Sequence, residues 1–114
     1  MKKLLLILFL SIGAVNSYAA GFIENAKVLD VRVDENGYGI ITFDKVRTRE
    51  PAACGNTYNS SLSFDTNTEG GKAILSIALS ALVSGNEISA WGAGVCRQYT
   101  SLVETWTYGN IYRK

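Results

Sequence analysis

Residues 26–34 alternate without interruption: Leu29, Val31 and Val33 fall on one side, and Asp30, Arg32 and Asp34 on the other. A side-chain period of two is that of a half-buried β-strand and is incompatible with a helix. Asp34-Glu35-Asn36-Gly37-Tyr38 follows directly and reads as a hairpin turn. A two-residue Asn-Gly loop would set Val31 opposite Thr42 and Leu29 opposite Asp44. A three-residue loop with Gly37 left-handed sets Val31 opposite Ile41 and Leu29 opposite Phe43. The three-residue loop keeps one face apolar on both strands and is preferred, so strand two runs over residues 38–46.

The polar residues 47–51 end at the one proline, Pro51. Lys45, Arg47 and Arg49 read either as alternating solvated charge at a strand end or as a small basic patch. Residues 58–65 alternate again, Tyr58, Leu62 and Phe64 against Asn59, Ser61 and Ser63, and predict a third strand. Thr66-Asn67-Thr68-Glu69 supplies helix-capping residues, and a helix follows through about Ser84. Its apolar stripe is Ile74, Ile77, Ala78, Ala81 and Leu82, widened by Leu75 and Leu79, and Gly85-Asn86 ends it. With Lys72 the one charge in its main run, the helix has almost no strongly solvated face. It is either a central core helix or one covered on two sides.

Residues 87–91 form a short strand, and Gly92-Ala93-Gly94 permits a bulge or close backbone approach. Residues 103–112 are the last strand, with Val103, Thr105, Thr107 and Gly109 on one face. Glu104, Trp106, Tyr108 and Asn110 take the other. The order is strand, strand, strand, helix, strand, strand. This predicts a mainly β fold, a five-stranded OB-like Greek-key barrel with one helix between strands 3 and 4. An open α+β sheet is the alternative.

The N-terminus bears on where such a domain works. Met1-Lys2-Lys3 is a short basic start, and residues 4–15 are an apolar run of a signal-peptide length, too short for a membrane span. Ser17 and Ala19 supply the small residues at −3 and −1, so cleavage is expected after Ala19. An N-terminal anchor helix is the competing possibility. Residues 1–19 are thus read as a signal peptide and residues 20–114 as a single domain, secreted or periplasmic. The full chain carries 11 basic and 10 acidic residues, and losing Lys2 and Lys3 leaves nine against ten. That balance argues against a nucleic-acid partner, which needs a basic surplus, and against electrostatic docking on anionic membranes. No integral membrane segment is expected after cleavage.

Cys54 and Cys96 are the two cysteines, and an even count in an exported chain reads as a disulfide. The chain has no histidine. Ser-His-Asp and Cys-His catalysis therefore have no base, and the usual zinc ligand sets are incomplete. No metal and no cofactor is expected. Asp44, Glu50, Asp65, Glu69, Glu87 and Glu104 show no pairing signature, and a domain this small has little volume for a deep cleft. A non-enzymatic role is expected.

Phe64-Asp65, Gly70-Gly71-Lys72-Ala73, the small-residue helix, Ser84-Gly85 and the strand leading to Cys96 together resemble a group of small exported bacterial proteins of unknown function. That group places its cysteine pair after strands two and four, where Cys54 and Cys96 stand. It is in turn similar to the OB-type B subunits of subtilase-type toxins, which form five-membered rings and bind glycans. The resemblance implies a glycan- or surface-binding module able to assemble as a homo-oligomer. It carries over no sugar-contacting residue.

Aromatic residues gather late in the chain, and aromatic faces stack on sugar rings while polar neighbours fix orientation. Tyr99, Trp91 and Trp106 are the candidate ligand-binding residues, with a core role for either Trp the competing assignment. The expected function is an exported non-catalytic binding module for a glycan or protein partner. The alternative is a periplasmic structural or interaction protein, such as an envelope factor or inhibitor.

Overall fold

The structure, a computed structural model, describes residues 20–113. The expected signal peptide, residues 1–19, lies outside the described residues. Two antiparallel sheets and one helix make up a mainly β fold. β1 (Gly21–Ala26) and β2 (Val28–Val33) are nearly continuous, broken only at Lys27. β3 is Tyr38–Phe43, β4 is Thr48–Arg49 and β5 is Ser61–Asp65. α1 (Glu69–Ser84), β6 (Glu87–Gly92) and β7 (Trp106–Tyr112) complete the chain. One sheet has the order β4-β1-β6-β7 and the other β2-β3-β5.

The hairpin forms as the alternation requires. Val31 pairs with Ile41, Gly37 is left-handed at φ 92°, and Asp34 N–H donates to the Tyr38 carbonyl at 2.8 Å. The expected pairing of Leu29 with Phe43 does not occur. Val28 takes that place, Asp30 pairs with Thr42, and Leu29 is the extra residue of a bulge, 59 % exposed. The bulge turns Leu29 outward, while Val31 still packs against the core, just where the chain passes from one sheet to the other. Lys27 marks that passage: its N–H donates to Asp44 Oδ1 at 2.8 Å and its Nζ to the Gly85 carbonyl at 2.8 Å.

The helix has the expected limits. Thr68 Oγ1 accepts from Gly71 N–H at 2.9 Å, and Gly85 closes the other end at φ 74°. Ala78 and Ala81 are buried, and Ile74, Leu75 and Ile77 pack against the same core. Leu79, Leu82 and Val83 stay exposed, so the helix is covered on one side within this chain. Ile23, Ile41, Phe43, Leu62, Phe64 and Ile88 form the centre of the core.

Several element limits differ from expectation: strand two ends at Phe43 and not at residue 46, and Thr48–Arg49 in the expected loop form β4. β1 was not foreseen, because its alternation is short and abuts the expected cleavage site. The third strand begins at Ser61, and a 3-10 helix, Ala53–Tyr58, occupies the preceding stretch. The last regular strand begins at Trp106, with Val103 and Thr105 in isolated bridges to Gln98 and Ser63.

Those residues surround a buried ion pair. Arg47 Nη1 donates to Glu104 Oε1 at 2.5 Å, both side chains being fully buried. Glu104 also accepts from the N–H groups of Gly21, Gly94 and Ala52 at 2.9, 3.0 and 3.1 Å. Arg47 donates to the carbonyls of Gly55 and Ala52 at 2.7 and 3.2 Å. Every strong donor and acceptor is thereby answered, the condition under which a buried pair is tolerated. Arg47 is therefore neither solvated charge nor part of a basic patch. A Cβ at Gly92 would lie 2.1 Å from Glu104 Oε2, and one at Gly21 2.6 Å from Oε1, so both positions need glycine for close approach. Beside the pair, Cys54 and Cys96 form a disulfide, S–S 2.07 Å, between the 3-10 helix and the β6–β7 connection.

Three stability outcomes follow. Glu104→Gln or Arg47→Met should each lower the unfolding free energy by about 3–5 kcal/mol in denaturant titration, since one buried group loses its partner. Unlike a simple buried pair, the double replacement Arg47→Met/Glu104→Leu should remain destabilised, because three backbone N–H groups then lose their acceptor. Removing the disulfide by Cys54→Ser/Cys96→Ser, across a sequence separation of 42, should cost about 4 kcal/mol in the same assay.

Candidate functional site

The outward face of the sheet β4-β1-β6-β7 carries a row of rings built by strand register. Phe22 in β1 is opposite Trp91 in β6, and Trp91 is opposite Tyr108 in β7. Side chains directly across adjacent strands are in contact range, so the register alone stacks the three. The Phe22 and Trp91 centroids are 4.1 Å apart with planes 24° apart, and Trp91 and Tyr108 are 6.0 Å apart at 22°. The Arg49 guanidinium caps the row, 5.0 Å from the Phe22 centroid and 5.3 Å from that of Trp91. Cation–π contact of this kind holds an exposed cation in place at modest cost.

Trp91 stands between two grooves. One, of about 470 Å³, is lined by Ala20, Gly92, Ala93, Thr107 and Tyr108 together with Trp91. The other, of about 390 Å³, lies between Trp91, Ala20, Arg49 and Glu50. Further along the same face Ser89, Asn25 and Tyr112 form a polar cluster. Ser89 Oγ accepts from Asn25 N–H at 3.0 Å and lies 2.5 Å from the Tyr112 hydroxyl, which donates to Asn25 Oδ1. The face thus offers flat apolar surface, a fixed cation and a hydrogen-bonding row, the usual ingredients of a shallow ligand site.

The three residues singled out from sequence do not converge. Trp91 is at the centre of the ring row, half-exposed. Trp106 is 5 % exposed and packs in the core over Gly109. The expected sharing of a face by Trp106 and Tyr108 is corrected by a bulge. Trp91 pairs with Tyr108 and Gly92 with Trp106, so Thr107 is an extra residue. Tyr108, 58 % exposed, consequently points outward while Trp106 points inward.

Tyr99 belongs to a different region, the end of the β2–β3 hairpin. Its hydroxyl donates to the Tyr38 carbonyl at 3.0 Å, and the Arg32 guanidinium lies 5.9 Å from its ring centroid. Tyr99, Thr100 and Ser101 are successive left-handed residues, φ 56°, 57° and 61°, an uncommon turn for residues with side chains. Arg32 Nε donates to Asp34 Oδ1 at 2.8 Å, and this bond holds the Asp34 carboxyl below its ordinary range. Burial, followed by the nearby Asp34 carboxylate, pushes the Tyr99 phenol up to about 12.

Sequence reasoning missed Phe22, Arg49 and Tyr108 as members of the site. Phe22 lies in the unforeseen strand, and Arg49 was grouped with its charged neighbours. Tyr108 was placed on one face with Trp106, without the bulge that exposes it. Among the described residues no group of three or more His, Cys, Asp or Glu could hold a metal ion, and no helix is long and apolar enough to cross a membrane. No family model, curated protein or solved structure matches the chain.

The Tyr99 environment gives a pH test. A phenol raised from 10.0 to about 12 in the folded state contributes stability that is fully present below pH 10 and is lost as pH rises toward 12. Tyrosinate absorbance should show a late step near pH 12 that Tyr99→Phe removes. The variant should also flatten the fall in stability between those two pH values.

Proposed function

We propose that this chain is an exported, non-catalytic binding module whose ligand-facing surface is the Phe22–Trp91–Tyr108 row with Arg49, and that its ligand is a glycan or another surface molecule. The carrying observation is the in-register ring row, whose Trp91 and Tyr108 stay open beside two grooves while Phe22 is buried against Trp91 and Arg49. Rings on a rigid sheet lose little conformational entropy on binding, and sugar faces stack on them. The disulfide suits an oxidising compartment outside the cytoplasm.

An OB-type Greek-key arrangement goes with this proposal. β1 and β2 taken as one bent strand give five principal strands, with α1 between the third and fourth. The parallel bridge between Ser63 and Thr105, and the bond from Ser63 N–H to the Glu104 carbonyl at 2.8 Å, run between β5 and the approach to β7. Those links support two sheets that are halves of one barrel-like unit.

A second function is favoured by one observation. α1 leaves Leu79, Leu82 and Val83 exposed on a helix almost without charge, as a protein partner or a homo-oligomer would require. A periplasmic interaction protein would present that surface, and cross-linking in the periplasm should then recover a specific partner through α1.

The glycan assignment is tested on a broad glycan array with the wild type and Trp91→Ala. The wild type should bind at least one glycan class. Trp91→Ala, which removes the centre of the row and uncovers Phe22, should weaken that binding by up to about tenfold while far-UV circular dichroism shows the variant still folded. Absence of wild-type binding across the array, together with a protein cross-linked through α1, would replace this proposal with the second one.

A further inference from the structure

A third groove, of about 300 Å³, opens where the N-terminus of α1 meets residues 97–106. It is separate from the ring row and has its own chemistry. Gln98 is 7 % exposed. Its Oε1 is fixed from inside the protein, accepting from Ser63 Oγ at 2.8 Å and from Thr105 Oγ1 at 3.1 Å. Thr105 Oγ1 itself accepts from Arg97 N–H at 2.9 Å and keeps its proton for Gln98, while Ser63 Oγ also lies 3.2 Å from the Val103 and Glu104 carbonyls. The Gln98 NH₂ then has no acceptor among the described residues. Yet no buried side-chain nitrogen or oxygen there lacks a partner. The amide therefore reaches open space, and the space that Gln98 lines is this groove.

Two further unanswered donors border the same groove. The Arg97 guanidinium, on an exposed residue, has no ion-pair or hydrogen-bond partner among the described residues. The Gly70 N–H belongs to the first turn of α1, where helix geometry supplies no acceptor; Thr68 caps Gly71 instead. Gly70 also lacks a packing reason to be glycine, since an added Cβ would meet nothing within 4 Å. Gly71 has such a reason, for its Cβ would lie 1.7 Å from the Asp65 carbonyl oxygen. The Gly70 amide, in the first turn of α1, thus borders the groove at the positive end of the helix dipole. Asp65 is the one carboxylate lining the groove, and its Oδ1 is taken by Asn67 N–H and Nδ2 at 2.9 and 2.8 Å. Ile74 and Trp106 supply the apolar part of the wall.

We propose that this groove binds a small organic acid. The carboxylate takes the Gln98 amide, the Arg97 guanidinium and the Gly70 N–H, and the apolar body rests on Ile74 and Trp106. A buried carboxamide held by one end and open at the other is pre-oriented, so little is lost in ordering it on binding. The assignment is independent of what binds the ring row.

The probe is benzoate, titrated into the purified protein and followed by amide and side-chain NMR, with benzyl alcohol and inorganic phosphate in parallel. The expected result is saturable binding in the millimolar range that moves the Gly70 amide, the Gln98 NH₂ and the Trp106 indole together. Arg97→Ala, at an exposed side chain without a partner among the described residues, should weaken it by about tenfold. Gln98→Glu keeps an acceptor for Ser63 and Thr105 but turns the donor into a carboxylate, and should abolish it. The proposal is overturned if benzoate shifts nothing saturably, or if benzyl alcohol binds as well as benzoate. It is equally overturned if phosphate matches benzoate while Trp106 stays still, since that is charge attraction to a helix end and not an organic-acid site.

Discussion

Three separate lengths of chain are held at one point by the carboxylate of Glu104. It answers N–H groups at the start of β1, at the entrance of the 3-10 helix and in the β6–β7 connection, and it neutralises Arg47. No apolar side chain could do this, because a methyl group accepts nothing and the N–H groups would be left dry. The burial cost of two charges is offset only by the full set of partners. This is why the surroundings are so tightly specified: two glycines stand where any side chain would strike the carboxylate. The start of β1, and with it the position of Phe22, depends on that single acceptor.

The two faces of the sheet β4-β1-β6-β7 are assigned by small irregularities in pairing. A bulge at Thr107 sends Trp106 into the core and Tyr108 out, and a register shift in β1 between Ile23 and Ala26 places Asn25 beside Ser89 and Tyr112. Bulges re-aim side chains without breaking the sheet. The ring row and the polar cluster therefore share one rigid surface, while the groove at the start of α1 draws on the segment that precedes β7.

Much of the β framework was legible because its signals are local. The β2–β3 hairpin followed from alternation and a left-handed Gly37, and α1 followed from Thr68 and Gly85 as caps. The disulfide followed from cysteine count and expected compartment. What escaped depends on distance or on single inserted residues. Alternation assumes an unbroken pleat, so it misplaced Leu29 and put Trp106 with Tyr108. Charge spacing has no means of showing that Arg47 meets Glu104 across 57 residues, and it made Arg47 a surface residue. For the site, Trp91 was legible as one of the aromatics gathered late in the chain. Its partners Phe22 and Arg49 were not, since they arrive through β1 and β4.

The disulfide also shortens a path. Arg47 and Glu104 are 57 residues apart along the chain, and both lie just outside the loop that Cys54 and Cys96 close. Once the sulfurs are joined, the route from one charge to the other runs through the bridge and is roughly 15 residues long. Loop-closure entropy grows with the logarithm of length, so the oxidised chain brings the two charges together at about 1 kcal/mol less entropic cost. Covalent closure and the electrostatic one thus favour each other, each shortening the loop that the other must close.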